Sequence, residues 1–507
     1  MSEMTKKKKT SLTAFSVLMI ILAVVCIVSV FLNGTPISND IIKSLDPNGK
    51  YAAIVKQVLV DNQQLTVVGA KFHNFFMAIP KGFQDASDLI IFIIALGGFI
   101  GTVMKTGALE AGVYHLVKKM KGKEEYLIVI LMILFSIGGT TYGMAEETIG
   151  FYALITSAMV AAGFDSMVAV GTILLGAGAG VLGSTINPFA TGAAMSALTA
   201  AGGTSDPTLI MILGAVLWIS TVAMAIVFVV GYARKVKADK GSTILSLQEQ
   251  EEMKASFSKD SGVTLEYTKK HKLVLTIFAI AFIVMIASLI SYPDIVFGKN
   301  EDAFLAALGW TDFLTAQPLG WWYFTELAAW FIFASILIAI VGGFSEKEYI
   351  DTFMAGAADL LSVGLIIAVA RGITVVMSAT HMDFLLLEKS AALLKGVPGF
   401  IFAPLSYVIY LFLSFLVPST SGLAALSIPV MGNLASTLGF NANVMIMIFS
   451  AGCGLINFIT PTSGVVMGGI AAAKVEYSTY LKWVAKLVVV VAIANIIILS
   501  AAMMMFH

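Results

Sequence analysis

Charge is what this chain has least of. Asp, Glu, Lys and Arg make up 12% of its 507 residues, against about 25% in soluble domains, which excludes a water-exposed surface of ordinary composition. Cysteine and histidine are scarce as well, at two and five. Cys26 and Cys453 both fall in apolar stretches, where a free thiol behaves as a small hydrophobe. A disulfide framework and a Cys/His metal site are therefore excluded. No Ser-His, Cys-His or His-rich constellation supports catalysis, so the chain reads as a non-enzyme that needs no cofactor. The 31 basic and 31 acidic side chains cancel, leaving no basic footprint for a nucleic acid.

Apolar residues fill the space instead: 58% of the chain is hydrophobic and the mean hydropathy is +0.92. About 20 helical residues cross a hydrocarbon core, and runs of that kind lie near 12–33, 87–104, 208–231, 273–292, 326–344, 359–380 and 483–505. Helices satisfy their own backbone groups in lipid, so the expected fold class is an all-α polytopic membrane protein. Lys6, Lys7, Lys8 and Lys9 precede the first run, and no small-residue cleavage site follows it; a retained first span is expected.

Basic residues favour cytoplasmic loops. They cluster before the first span, at Lys118, Lys119, Lys121 and Lys123, and from Arg234, Lys235, Lys237 and Lys240 to Lys269, Lys270 and Lys272. Those segments are expected inside. Pro293 to Thr325 holds only Lys299 and ends beside Trp321 and Trp322, as an external loop with interfacial aromatics would. The expected organisation is a cytoplasmic N-terminus (1–10), a first span and external loop (11–83), a first transmembrane repeat with a re-entrant hairpin (84–231), a cytoplasmic linker (232–272), a span, external loop and span (273–344), and a second repeat with its own hairpin (345–507).

The repeats are read from matching landmarks. Gln84 to Ile90 lines up with Met354 to Leu360, Gly163-Phe164-Asp165 with Gly439-Phe440-Asn441, and Ser184 to Pro188 with Asn457 to Pro461. Two polar runs, Gly138 to Glu147 and Phe415 to Gly422, are each flanked by apolar stretches that read as half a span, as in re-entrant hairpins. The loop charges put the first hairpin's mouth inside and the second's outside, so the repeats are expected to be inverted. Inverted repeats with interrupted helices at mid-membrane are characteristic of secondary transporters, and the interruptions point to the binding site.

Pro188 and Pro461 are credible breakpoints, because proline lacks a donor and clashes with the preceding turn. Each break exposes a carbonyl-rich and an N–H-rich helix end. Candidate substrate-binding residues are Thr140, Thr141, Glu146 and Glu147 at the first tip, Asn187 at the first break, and Arg371 mid-span. Ser419, Thr420 and Ser421 at the second tip and Asn457, Thr460, Thr462 and Ser463 at the second break complete the set. Glu146 and Glu147 point about 100° apart on a helix, so one faces the site directly; they serve as a substrate or proton site, as an N-terminal cap, or as both. Arg371 could grip a substrate carboxylate, pair with a glutamate, or lock the domain. His381 and Asp383 read as solvated interfacial groups, and Asp88 and Asp359 as capping carboxylates at helix starts. The run Gly178 to Gly183 has dinucleotide-type glycine spacing but lies in an apolar helix without a preceding strand, so it reads as helix packing.

At Gly143-Met144-Ala145-Glu146-Glu147, Ile186-Asn187-Pro188-Phe189, Pro418-Ser419-Thr420-Ser421-Gly422 and Ile459-Thr460-Pro461-Thr462-Ser463, the chain resembles the YfcC-type branch of the anaerobic C4-dicarboxylate carrier family, in the ion transporter superfamily. The resemblance covers about residues 80 to 505. It implies scaffold and transport domains, elevator-type movement, a homodimer and a bacterial cytoplasmic membrane. It also implies kinship with arginine/ornithine antiporters, whereas the wider family handles dicarboxylates. Gly34 to Gln84 departs from the branch in lacking a Pro-Ala-Gly stretch after the first span. Two glutamates against one arginine fit a basic amino acid better than a dicarboxylate, so the expected activity is basic amino-acid exchange, with a proton- or sodium-coupled C4-dicarboxylate carrier as the alternative.

Overall fold

The computed structural model describes residues 14–43, 45, 51–61, 63–109, 111–112, 115, 123–257, 267–289, 292–298, 300–417 and 419–506. Residues 1–10, Lys118, Lys119, Lys121, Lys299 and Pro418, which entered the readings above, lie outside them.

Among the described residues the regular structure is helical, apart from an isolated bridge between Pro36 and Thr66. The helices used here are α1 (Ala14–Phe31), α2 (Phe72–Asp85), α3 (Ser87–Lys105), α4 (Glu124–Tyr142), α5 (Tyr152–Ala161), α6 (Ser166–Leu182), α7 (Phe189–Ala200), α8 (Pro207–Ala238) and α9 (Leu247–Phe257). They continue as α10 (Lys269–Leu289), α11 (Phe324–Gly342), α12 (Glu346–Ala379), α13 (Met382–Leu394), α14 (Gly399–Leu416), α15 (Thr420–Thr437), α16 (Ala442–Ile456), α17 (Gly464–Ala472) and α18 (Tyr477–Met505). Among the described residues eight helices are long and apolar enough to cross a membrane: α3, α4, α8, α10, α11, α12, α14 and α18.

Three of these differ from expectation. The apolar arms before the polar tips are not half-spans: α4 has 19 residues and α14 has 18, or about 28 and 27 Å at 1.5 Å per residue. In α4 the run Gly138 to Tyr142 stays helical because Gly143 closes it in the left-handed region (φ 80°), with Met144 N–H donating to Gly138 O at 3.2 Å. With Gly143 N–H donating to Gly139 O at 3.2 Å, this is a left-handed (αL) helix end that glycine adopts without steric penalty. The polar residues are thus the last turn of a helix, and the loop proper is only Gly143 to Ala145. Likewise α12 begins at Glu346, capped by the Ser345 hydroxyl accepting Glu348 N–H at 3.2 Å. Nothing interrupts it before Asp359, which is therefore mid-helix and exposed rather than a helix start.

A sequence of arm, tip, second arm, broken helix and long helix occurs twice: α4 to α8, then α14 to α18. The joints match in detail. Gly163 and Gly439 both have positive φ (89° and 79°), and the next N–H reaches back at both, from Phe164 to Met159 O (2.9 Å) and from Phe440 to Ala435 O (2.8 Å). Asp165 then caps α6 and Asn441 caps α16 with a side-chain oxygen, each worth about 1 kcal/mol.

Two apolar cores divide the packing. One joins α3, α10 and α11 through Phe92, Phe99, Phe278, Phe282 and Phe331; the larger one gathers α4 to α8, α13 to α18 and the second half of α12. The segment after α8 is docked on the larger core. Glu249 of α9 is buried and accepts Ser246 N–H (2.7 Å), Glu476 N–H (2.8 Å) and the Thr479 hydroxyl (3.1 Å). Asp165 accepts the Tyr232 and Thr243 hydroxyls, both at 2.6 Å. Asp383, expected to be solvated, is buried, with Ser378 Oγ (3.0 Å) and Phe384 N–H (2.9 Å) donating to it. The segment near residue 66 folds over this corner, where His381 Nδ1 lies 2.9 Å from the Thr66 carbonyl.

Candidate substrate cavity

The two tips and two breaks converge on a cavity of about 170 Å³. Close helix contacts bring them together. Gly139 of α4 faces Gly180 of α6 so tightly that a Cβ on either would fall 2.2 or 2.0 Å from a backbone oxygen of the other helix. A Cβ on Gly178 would meet the Phe458 ring at 2.5 Å, and one on Gly183 would meet Trp218 N at 2.3 Å. The glycine run that mimicked a nucleotide motif is thus where α6 receives the second break, α4 and α8 in turn.

The backbone groups freed by the breaks have partners, as non-helical backbone in a membrane requires. At the first break, Thr185 N–H (2.9 Å) and Ile186 N–H (3.3 Å) donate to Thr140 O, and the Thr185 hydroxyl does so at 3.0 Å. Asn187 accepts Phe189 N–H at 2.9 Å and donates through Nδ2 to Ser184 Oγ at 3.0 Å. At the second, Tyr480 and Tyr477 of α18 donate their hydroxyls to Phe458 O (2.7 Å) and Ile459 O (2.6 Å).

The structure brings Glu146, Glu147, Asn187, Arg371, Ser419, Thr420, Ser421, Asn457, Thr462 and Ser463 onto the cavity wall. Thr140, Thr141 and Thr460 fall outside the lining, each for a visible reason. Thr140 staples the first tip to the first break; Thr141 turns its hydroxyl back to Ile137 O at 2.7 Å; Thr460 lies behind Thr462, hydroxyl to hydroxyl at 2.6 Å.

The lining residues divide by what their side chains already hold. Glu147 is buried and its carboxylate accepts Ala145 N–H at 3.0 Å, which ties it to the tip backbone. Asn187, Ser419 and Thr462 are likewise engaged, Ser419 as the cap that accepts Gly422 N–H at 3.3 Å. By contrast, Arg371, Thr420, Ser421, Asn457 and Ser463 make no side-chain hydrogen bond among the described residues, and the Glu146 carboxylate meets only its own backbone N–H. No described carboxylate lies within 4.0 Å of the Arg371 guanidinium, although Glu146 is within reach of its charge. The adjacent glutamates therefore differ: Glu147 is tied to the Ala145 backbone, and the Glu146 carboxylate is held by no other residue among those described. The residues not foreseen are aromatic and apolar. Tyr323, Phe324 and Phe189 line the cavity with Leu89, Leu174 and Ile367. The run Trp321-Trp322-Tyr323-Phe324 was the available signal, but it reads equally well as an interfacial belt.

The comparisons agree with a transporter. The family model described as C4-dicarboxylate anaerobic carrier matches residues 12–504. A Haemophilus influenzae protein named only as uncharacterized is 32% identical over 414 residues, 80% of this chain and 74% of that one. The Escherichia coli protein named "Putative basic amino acid antiporter YfcC" is 26% identical over 441 residues, 84% of this chain and 79% of its own. Two solved transporters, YdaH of Alcanivorax borkumensis and MtrF of Neisseria gonorrhoeae, each align over 97% of this chain and over 99% and 95% of their own. Their identities are 12% and 15% and their TM-scores 0.43 and 0.42, a likeness too loose to build on. The chain belongs to the C4-dicarboxylate anaerobic carrier family of multi-pass membrane transporters.

Proposed function

We propose that this protein exchanges basic amino acids, of the arginine and ornithine type, across a bacterial cytoplasmic membrane. The charge of the cavity wall carries this reading. Two carboxylates and one guanidinium leave an ionised net of −1, and unpaired charge away from water costs several kcal/mol. Arginine or ornithine, with net charge +1, neutralises the site; a dicarboxylate would bring its ionised total to −3. Glu146 would hold the side-chain cation. Arg371, with the N–H groups at the start of α17 and the free Ser463 hydroxyl, would take the α-carboxylate. The Escherichia coli relative's name supports the same substrate class.

We further propose that the two matching series of helices are inverted repeats and that a homodimer carries substrate by elevator-type movement. The core around the breaks would shift against the α3, α10 and α11 core. Supporting this are the duplicated joints at Gly163 and Gly439 and the separation of the two apolar cores.

The test uses purified protein in liposomes. Uptake of labelled arginine that requires internal ornithine, and that Glu146→Gln reduces far more than any loss of folded protein, is the expected result. Arginine-silent vesicles with active succinate counterflow would overturn the reading in favour of a C4-dicarboxylate carrier.

A further inference from the structure

Two aromatic rings at the cavity have no role in the account so far. Phe189 opens α7 just past the first break, and Tyr323 precedes α11 in the other apolar core. Their ring centroids are 5.8 Å apart, inclined at 38°. Both line the cavity, and they remain 39% and 41% exposed. Their neighbour Phe324, its ring tilted against Tyr323 at 4.3 Å and against Phe92 at 5.5 Å, is buried and serves as the backing. Tyr323 is held firmly: its backbone N–H donates to Glu326 at 2.9 Å. Its hydroxyl makes no hydrogen bond among the described residues, while Glu146, Glu147, Asp88 and Arg371 all lie within electrostatic reach of it.

Aromatic rings beside a carboxylate are the chemistry that recognises an organic cation. The ring quadrupole attracts the positive group, and the attraction grows as water is excluded. An interfacial belt residue would face lipid headgroups rather than a carboxylate-lined cavity. Resting on the basic amino-acid reading above, we propose that Phe189 and Tyr323 form the cation-recognising wall of the cavity. The substrate's planar guanidinium or terminal ammonium then lies against these rings while Glu146 neutralises it. The pair also joins the start of α7 to the residue before α11, so the wall is complete only when those two helices are in the arrangement seen here.

The experiment measures inhibition of ornithine-driven arginine uptake by unlabelled arginine and by citrulline, its neutral isostere, in wild-type protein and in Phe189→Leu, Tyr323→Leu and Tyr323→Phe. The ratio of the two affinities does not depend on how much protein is folded. Both leucine variants should weaken arginine by about 2- to 30-fold with citrulline little changed, and Tyr323→Phe, which keeps the ring, should stay near wild type. Leucine variants with the wild-type ratio, or with arginine and citrulline weakened equally, would overturn the aromatic wall while leaving basic amino-acid exchange standing. Wild-type protein that carries succinate and not arginine would overturn both.

Discussion

Replacing Gly180 by alanine puts a methyl group where α4 and α6 touch. Its Cβ would lie 2.0 Å from Ser136 O, 2.7 Å from Thr140 N and 2.9 Å from Gly139 Cα. Ordinary carbon–oxygen approach stops at about 3.3 Å, so the two helices must part by roughly 1 Å, and the obstacles are backbone atoms that cannot rotate away. Overpacking of this kind costs about 1–3 kcal/mol. The displacement also has a direction. Thr140 is the residue through which the first tip is stapled to the first break, by Thr185 N–H at 2.9 Å and the Thr185 hydroxyl at 3.0 Å, and an ångström of separation takes both beyond hydrogen-bond length. Each such bond contributes about 1 kcal/mol net. Because Glu146 and Glu147 follow directly after the short loop that α4 leads into, Gly180→Ala should lower both thermal stability and arginine affinity, the latter at least tenfold. Gly231→Ala is the control: it lies in α8 with nothing within 4 Å of the added carbon, and should be neutral or slightly stabilising, since alanine outranks glycine in helices by about 1 kcal/mol. Melting in detergent and arginine binding would be measured on all three proteins. A Gly180→Ala protein that melts and binds as the wild type does would refute the claim that this contact sets the tip.

Other outcomes follow from buried carboxylates outside the spans. Burial pushes the Asp383 carboxyl from its ordinary 3.8 up to about 6, so the folded state holds this proton more tightly than the unfolded one. Its contribution is present in full below the ordinary value and is lost as pH rises through about 6. Moving from pH 7 to 5 should therefore add about 1 kcal/mol of stability, and Asp383→Asn should remove that increment from the pH dependence of the melting point. Glu249→Ala removes the acceptor of the Ser246 and Glu476 N–H groups, each such bond contributing about 1 kcal/mol net. Trypsin should then cut at Lys254 faster than in wild-type protein, and unchanged digestion would show that α9 is not held by this carboxylate.

Much of the layout is written locally. Apolar run length alone located α3, α8, α10, α11, α12 and α18, because a helix in lipid must bury its own backbone, although α8 runs on to Ala238, α12 starts at Glu346 and α18 at Tyr477. Glycine, proline and small polar residues marked the interruptions at 183–187 and 457–463, since these residues weaken helical backbone whatever surrounds it. The same logic overread Gly138 to Tyr142 as a loop, because the left-handed closure at Gly143 depends on geometry that composition does not reveal. Side-chain roles were beyond local reading altogether. Thr140, Thr141 and Thr460 have the right chemistry for a ligand, but neighbouring backbone claims them. Glu146 and Glu147 differ only in that one finds Ala145 N–H within reach, and Tyr323 enters the cavity from 177 residues beyond Glu146 in the chain. Sequence determined where helices form and break, because backbone preference is set by adjacent residues and by lipid. Tertiary structure decided which polar groups remain free to meet a substrate, because that depends on contacts between segments hundreds of residues apart.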